Sequence, residues 1–160
     1  MAKQLALDPK RCVDCKTCVL MCSFGHHDVF NPRLSSVTVF DFEEQAISVP
    51  LMCLQCEESS CVKVCPTGAL ELSAEGVVTI AHPGKCIVCK MCIQACPLGN
   101  ISFSPITKKV FKCDLCGNDE PQCALFCPTG AITVTDPTMA LKSKRDAADK
   151  LVAALEEVQS

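Results

Sequence analysis

Tryptophan and tyrosine are absent from this 160-residue chain, and seven phenylalanines bring its aromatic share to only 4%. Large rings normally dominate core burial, so something other than side-chain bulk must fill the interior. No apolar run approaches the roughly 18 residues that a membrane-spanning helix needs. The stretch from Met1 to Pro9 has neither an apolar segment before a cleavage site nor a twin-arginine pair. We therefore expect no signal peptide and a cytoplasmic location, unless a partner subunit carries an export signal. A basic excess is missing too, since the net charge is −3, which gives no support to nucleic-acid binding.

What the chain has instead is cysteine, sixteen in all, gathered into four runs of four. The runs are Cys12, Cys15, Cys18, Cys22; Cys53, Cys56, Cys61, Cys65; Cys86, Cys89, Cys92, Cys96; and Cys113, Cys116, Cys123, Cys127. Three of them end in Cys-Pro, at Cys65-Pro66, Cys96-Pro97 and Cys127-Pro128. The first and third runs share the spacing C-x2-C-x2-C-x3-C, and the second and fourth are stretched at the second gap. A cubane iron–sulfur cluster needs one thiolate at each of four irons. A tight loop wraps three corners, and in two-cluster ferredoxins the last cysteine of each run ligates the other cluster. All sixteen cysteines are thus candidate iron ligands, enough for four 4Fe-4S clusters. The hydrophobic share of 49% counts these cysteines, so it overstates the side-chain core, and metal binding should supply much of the folding free energy.

Zinc is the competing metal, because C-x2-C pairs also build zinc ribbons, but those use two pairs separated by a longer loop. Disulfides suit secreted chains, a context this N-terminus does not suggest. Histidine ligation is unnecessary when the cysteines already close at four per cluster, so His26, His27 and His82 are expected at the surface or behind the ligands. Asp14, Asp114, Glu57 and Glu58 lie in or beside the ligand loops, where solvation or backbone hydrogen bonding is the expected role. No catalytic constellation accompanies the runs. Lys10, Arg11, Lys16, Lys63, Lys85, Lys90 and Lys112 flank them; these could tune potentials, dock an acidic partner or simply offset cluster charge in solvent.

The strings Cys-Pro-Thr-Gly-Ala at 65–69 and 127–131, with Cys-Pro-Leu-Gly-Asn at 96–100, reveal an internal duplication. Between the runs, Val37 to Phe42, Ala46 to Val49, Ala69 to Leu72, Val77 to Ile80, Ile101 to Phe103 and Ile132 to Val134 read as small hairpin strands. Turns are expected at Asp41 to Gln45 and Glu75-Gly76, and short helices before each terminal cysteine. The fold class is α+β: a duplicated two-cluster ferredoxin-like fold of short hairpins and short helices. After Pro137 the chain loses cysteine, glycine and proline. Ala148, Leu151, Val152, Leu155 and Val158 fall at helical spacing, with Lys142, Lys144, Arg145, Asp149, Lys150, Glu156 and Glu157 elsewhere on the wheel. Residues 1–137 are read as the cluster module and 138–160 as an amphipathic helix that packs on that module, docks on another subunit or binds a second copy, a head-to-tail contact building an extended conductor and an isologous one stopping at a dimer.

The four runs and their Cys-Pro endings resemble the four-cluster ferredoxin-like electron-transfer subunits of the dimethyl sulfoxide reductase family over about residues 5 to 135. Cys22-Ser23-Phe24-Gly25-His26-His27 and Asn31-Pro32-Arg33-Leu34-Ser35-Ser36-Val37 look most like the small subunits of carbon monoxide dehydrogenase and of tungsten or molybdenum aldehyde oxidoreductases. In that family the first run pairs with the fourth and the second with the third. The resemblance therefore implies clusters on Cys12, Cys15, Cys18 and Cys127; on Cys22, Cys113, Cys116 and Cys123; on Cys53, Cys56, Cys61 and Cys96; and on Cys65, Cys86, Cys89 and Cys92. It also implies two interleaved halves, roughly 1–50 with 105–137 and 51–104. The function it implies is relay of single electrons from a catalytic partner, with a pterin tungsten or molybdenum aldehyde oxidoreductase favoured and a flavin or nicotinamide subunit beyond. Formate dehydrogenase, hydrogenase and carbon monoxide dehydrogenase compete as partners. A free polyferredoxin and a cluster-transfer scaffold are the alternatives of a different class. The large insertions and C-terminal membrane anchor of longer relatives are not seen, so no direct membrane span and a soluble complex rather than a quinone-reducing membrane one are expected, with a separate membrane subunit left open. Cys22 is followed by Ser23 where the other runs have proline, so the chain should leave the first run differently.

Overall fold

The β-branched segments between the cysteine runs do not merge into one sheet; among the described residues the strands form four separate two-stranded antiparallel ladders. The computed structural model describes residues 4–44, 46–117 and 119–159, without the side chains of 137, 141, 154 and 157–159. The elements run β1 (Gln4–Leu7), α1 (Thr17–His27), β2 (Thr38–Phe42), β3 (Ile47–Leu51), α2 (Ser60–Lys63), β4 (Glu71–Leu72), β5 (Val78–Thr79), α3 (Met91–Ala95), β6 (Ile101–Ser104), β7 (Lys109–Lys112), α4 (Gln122–Leu125), β8 (Ile132–Thr135) and α5 (Pro137–Gln159). This pattern of short strand pairs and short helices is consistent with a duplicated ferredoxin-like fold.

Each expected strand is found, but two partners were not foreseen. β6 pairs with β7, and β8 pairs not with a hairpin neighbour but with the N-terminal β1, Leu7 opposite Ile132 and Leu5 opposite Val134. Gln4–Leu7 is too short and too weakly β-branched to announce itself; the long-range ladder makes it a strand, as is usual for β structure. β2 and β3 form the expected hairpin, with Phe40 opposite Val49. Its turn is closed by the Ala46 amide on the Glu43 carbonyl at 3.2 Å, while Gln45 lies outside the described residues. Pro50 sits within β3, where a two-stranded ladder leaves a free edge for the missing N–H.

α2, α3 and α4 are single turns that overlap the expected x3 segments, with Val64 and Phe126 as the C-caps of α2 and α4, and each is followed by a Cys-Pro. α1 differs. Without a proline after Cys22 it continues to His27, and Ser23, wholly buried, donates to the Leu20 carbonyl and accepts from the Asn31 amide. Gly25 lies on the face that meets α4; a Cβ there would come within 3.0 Å of Gln122 Cγ.

Three glycines share one backbone role. Gly68, Gly99 and Gly130 each stand three residues after a Cys-Pro cysteine, at φ of +62°, +64° and +63°. The left-handed turn aims the amides of Ala69 and Asn100 at Cys65 Sγ and Cys96 Sγ, both at 3.3 Å. A Cβ on Gly99 would meet nothing within 4 Å, so Gly99→Ala carries strain alone. We expect it to cost about 1–2 kcal/mol, a fall of a few degrees in the thermal midpoint measured by circular dichroism.

Buried residues fall into two groups. One joins Leu5, Leu7, Val19, Val37, Val49, Leu51, Met52 and Ile132 with five cysteines and with Ala147 and Leu151 of α5; the other is Leu70, Val78, Cys92, Ile101 and Val110. The hairpin β6–β7 crosses the expected division between residues 104 and 105, and its Val110 packs with Ile101 in the second group.

The C-terminal helix is capped by Asp136, whose carboxylate accepts the Thr138 and Met139 amides at 3.0 and 3.1 Å. It packs on β1 and β3, and the Leu7 amide donates to Ser143 Oγ at 3.1 Å. The buried stripe is not the one expected. Ala140, Lys144, Ala147 and Leu151 face inward, whereas Val152 and Leu155 are 52% and 45% exposed. Lys144, assigned to the outer face by the sequence pattern, is fully buried. The Val158 and Glu157 side chains lie outside the described set. Among the described residues no helix is long and apolar enough to cross a membrane.

Candidate metal centres

Each cysteine run winds into a loop whose backbone is held in an unusual conformation. The residue two positions after the first cysteine has positive φ in every run: Asp14, Gln55, Val88 and Leu115, at +52°, +54°, +56° and +59°. Lys16 and Lys90 repeat this in the two tight runs, and Cys116 in the fourth. Such a backbone is costly for non-glycine residues, and strain of this kind persists where function requires it. Its effect here is to coil each loop tightly enough to bring its cysteines together.

The loops bring together cysteines from different runs. Cys12, Cys15, Cys18 and Cys127 line one cavity, and Cys53, Cys56, Cys61 and Cys96 line another. Cys123 feels the thiols of Cys113, Cys22 and Cys116, forming a third group around the packed helices α1 and α4. Cys92 has Cys86 and Cys89 as electrostatic neighbours, and Cys65 packs with Cys86 and Cys96 against the second apolar group. The groups also adjoin one another: Cys123 feels Cys18, and Cys113 feels Cys53.

Burial sets the chemistry of these thiols. It pushes Cys18 and Cys113 up to about 12 and Cys123 higher still, with neighbouring thiols adding repulsion. A set of buried thiols that cannot ionise on its own, unbridged by disulfides, fits a multivalent cation that discharges all four at once. Other thiols are already prepared to be anions. Burial acts against it, but the amides of Leu70, Ala69 and Thr67 and the Thr67 hydroxyl bring Cys65 down to about 7. At Cys127 the Ile132 and Ala131 amides and the Thr129 hydroxyl likewise outweigh burial. The Ser36 amide reaches Cys22 Sγ at 3.4 Å. Amide donors on thiolate sulfur stabilise the charged ligand and tune an iron–sulfur centre. The donor set, its burial and its amides therefore fit iron–sulfur clusters.

The flanking residues take supporting places. His26 Nδ1 donates to the Cys22 carbonyl at 2.9 Å while Nε2 lies 3.0 Å from Asp114 Oδ1, which also accepts the Cys116 amide. Both partners are acceptors, so the imidazolium satisfies both; chiefly through Asp114 and Cys22 its pKa rises to about 11. His26 thus ties α1 to the fourth ligand loop from behind. His27 meets Phe111 edge-on, and His82 lies 3.5 Å from Glu71 at the surface. Lys16 bridges Asp14 and Asp41, Lys63 pairs with Glu58, and Lys90 sits 4.3 Å over the Phe103 ring. Lys112 alone among the flanking cations singled out in the sequence is buried. Sequence reasoning missed three buried polar side chains beside the cysteines: Gln4, Gln55 and Lys144. The one signal for Lys144 was its place in the 140, 144, 147, 151 helical spacing.

Known families match most of this chain. Residues 45–137 match the 4Fe-4S dicluster domain family, and residues 11–70 match a second 4Fe-4S dicluster domain. The chain belongs to the 4Fe-4S dicluster domain family. With two dicluster matches and sixteen cysteines in ferredoxin-like runs, this dicluster protein carries four 4Fe-4S clusters. Its relatives are electron-transfer iron–sulfur proteins, consistent with a non-catalytic electron-relay role. It is 36% identical over 124 residues to the polyferredoxin-like subunit of an aliphatic sulfonate oxidoreductase from Pyrococcus furiosus, covering 77% of this chain and 70% of that one. It is 31% identical over 160 residues to the electron transport protein HydN of Escherichia coli, covering 85% and 89%. Among solved structures, the active site complex BamBC of benzoyl coenzyme A reductase, as isolated, has a chain that is 25% identical with a TM-score of 0.51, covering 96% of each chain.

Proposed function

We propose that this dicluster protein is the relay subunit of an oxidoreductase complex, in which four cysteine sets form a line: Cys12, Cys15, Cys18, Cys127; then Cys22, Cys113, Cys116, Cys123; then Cys53, Cys56, Cys61, Cys96; then Cys65, Cys86, Cys89, Cys92. The observation that carries this reading is adjacency, Cys18 beside Cys123 and Cys113 beside Cys53. When bound, each cluster accepts and releases one electron. The cysteine sets hold the sites in succession, the amides at Cys65, Cys96 and Cys22 stabilise thiolate charge, and the buried thiols keep the middle of the line away from water. The two halves interleave, with the hairpin β6–β7 belonging to the inner one.

The partner we favour is a pterin-dependent aldehyde oxidoreductase subunit containing tungsten or molybdenum, with flavin or nicotinamide chemistry on a further subunit. Support comes from the segment Cys22 to Val37, whose pattern resembles the small subunits of such enzymes, and from the Pyrococcus furiosus relative, which is named as a subunit of an oxidoreductase. The inner stripe of α5 is used within the chain, so the relay is read as a single-chain line, not a conductor assembled through residues 138–160. The test is an anaerobic pull-down of the native protein with metal analysis of what co-elutes. Iron with tungsten or molybdenum is expected. Nickel would move the partner to a hydrogenase or carbon monoxide dehydrogenase, and iron alone on a lone small protein would make it a free carrier.

A further inference from the structure

Two lysines are buried at the junction of the middle cysteine sets. Lys144 is fully buried and Lys112 is 6% exposed. Lys144 Nζ lies 3.2 Å from Gln4 Oε1 and 3.4 Å from the Cys53 carbonyl; Lys112 Nζ donates to the Val78 carbonyl and, at 2.7 Å, to the Cys113 carbonyl. Gln55 locks the same place, donating to the Cys113 carbonyl at 3.0 Å and accepting the Val78 amide at 2.8 Å. All these acceptors are neutral. Among the described residues, no carboxylate lies within ion-pairing distance of either ammonium.

Lysine is almost never buried without a counter-charge, and here burial pushes the Lys144 pKa down, with repulsion from the nearby Lys112 adding to it. The groups they face that become anionic on binding iron are cysteine thiols. Lys144 feels Cys113, Cys53 and Cys56, and Lys112 acts on Cys61 and Cys113. These residues belong to the two middle sets and to neither outer one. Such a pair is stable when both sets carry anionic clusters, and the pair in turn favours the more negative, reduced form of those clusters. For buried charges that attraction is screened less by salt than it would be at the surface.

We infer that α5 exists to deliver Lys144 to the midpoint of the relay, where with Lys112 it raises the reduction potential of the two middle clusters above what their thiolates alone would set. This rests on the relay reading only in requiring that the two middle sets hold clusters. It gives the C-terminal helix an internal electrostatic task.

The test is a redox titration of the purified holoprotein followed by electron paramagnetic resonance, with iron content measured on the same samples. Lys144→Gln keeps an amide donor toward Gln4 and Cys53 but removes the charge; Lys144→Arg keeps the charge. At the potential where the wild-type middle clusters are half reduced, Lys144→Gln should lower their reduced-to-oxidised ratio by about tenfold or more, a shift of about 59 mV for a one-electron couple. Two of the four reduction steps should move, the outer two should not, and Lys144→Arg should stay near wild type. Unchanged potentials with four clusters loaded would overturn the inference. So would loss of clusters in Lys144→Gln, which would make the lysine a structural prop. Fewer than four clusters in the wild type would instead sink the relay reading itself.

Discussion

Anaerobic removal of iron is expected to unfold most of the chain, seen as collapse of the far-ultraviolet circular dichroism with a remnant of helix. The four ladders have two strands each, and an isolated two-stranded hairpin is marginal in water. α2, α3 and α4 have four or five residues, well below the roughly 12 that an independent helix requires. The larger buried group counts Cys18, Cys22, Cys53, Cys113 and Cys123 among its members, so its packing depends on where the thiols are held. Seven of the ten described non-glycine residues at positive φ lie in the ligand loops, each carrying roughly 1–2 kcal/mol of strain. Metal binding offsets these costs and becomes folding free energy. The 23-residue α5 is the one element long enough to leave residual helix. A chelated protein that kept nearly all its dichroism would show that side-chain packing carries the fold. Because buried thiols such as Cys18 and Cys113 must lose protons to bind iron, reconstitution should also improve as pH rises from neutral.

The second large effect concerns which cysteines act together. Cys127→Ala should abolish the same cluster signal as Cys12→Ala, although 115 positions separate them, and should spare the signal that Cys123→Ala removes. Cys22→Ala should group with Cys113 and Cys123, not with its sequence neighbour Cys18. Each variant should lose one cluster by iron analysis and lose end-to-end electron transfer, because a gap in a line has no bypass. If Cys22→Ala instead erased the cluster of Cys12, Cys15 and Cys18, each run would be serving its own site. The electron paramagnetic resonance spectrum of the reduced variants distinguishes the two.

Much of this protein is legible in its residues alone. A cysteine's metal chemistry does not depend on its surroundings for its type, so sixteen of them in four spaced runs announce four centres. The glycine of each Cys-Pro-x-Gly string marks a left-handed turn because only glycine takes that φ freely. The missing proline after Cys22 signals a different exit, and α1 runs on to His27. These are local properties, set by bonds, sterics and donor type within a few residues. The pairing of β1 with β8, the contact of His26 with Asp114 across 88 positions and the adjacency of Cys113 to Cys53 are not local. They depend on how distant segments pack, which no spacing encodes. Lys144 shows the difference most clearly. In the helical pattern it is one more polar residue, because hydropathy assigns a lysine to water. The fold buries it among carbonyls and thiols, where the anions of the middle sites balance a charge that an apolar core would reject.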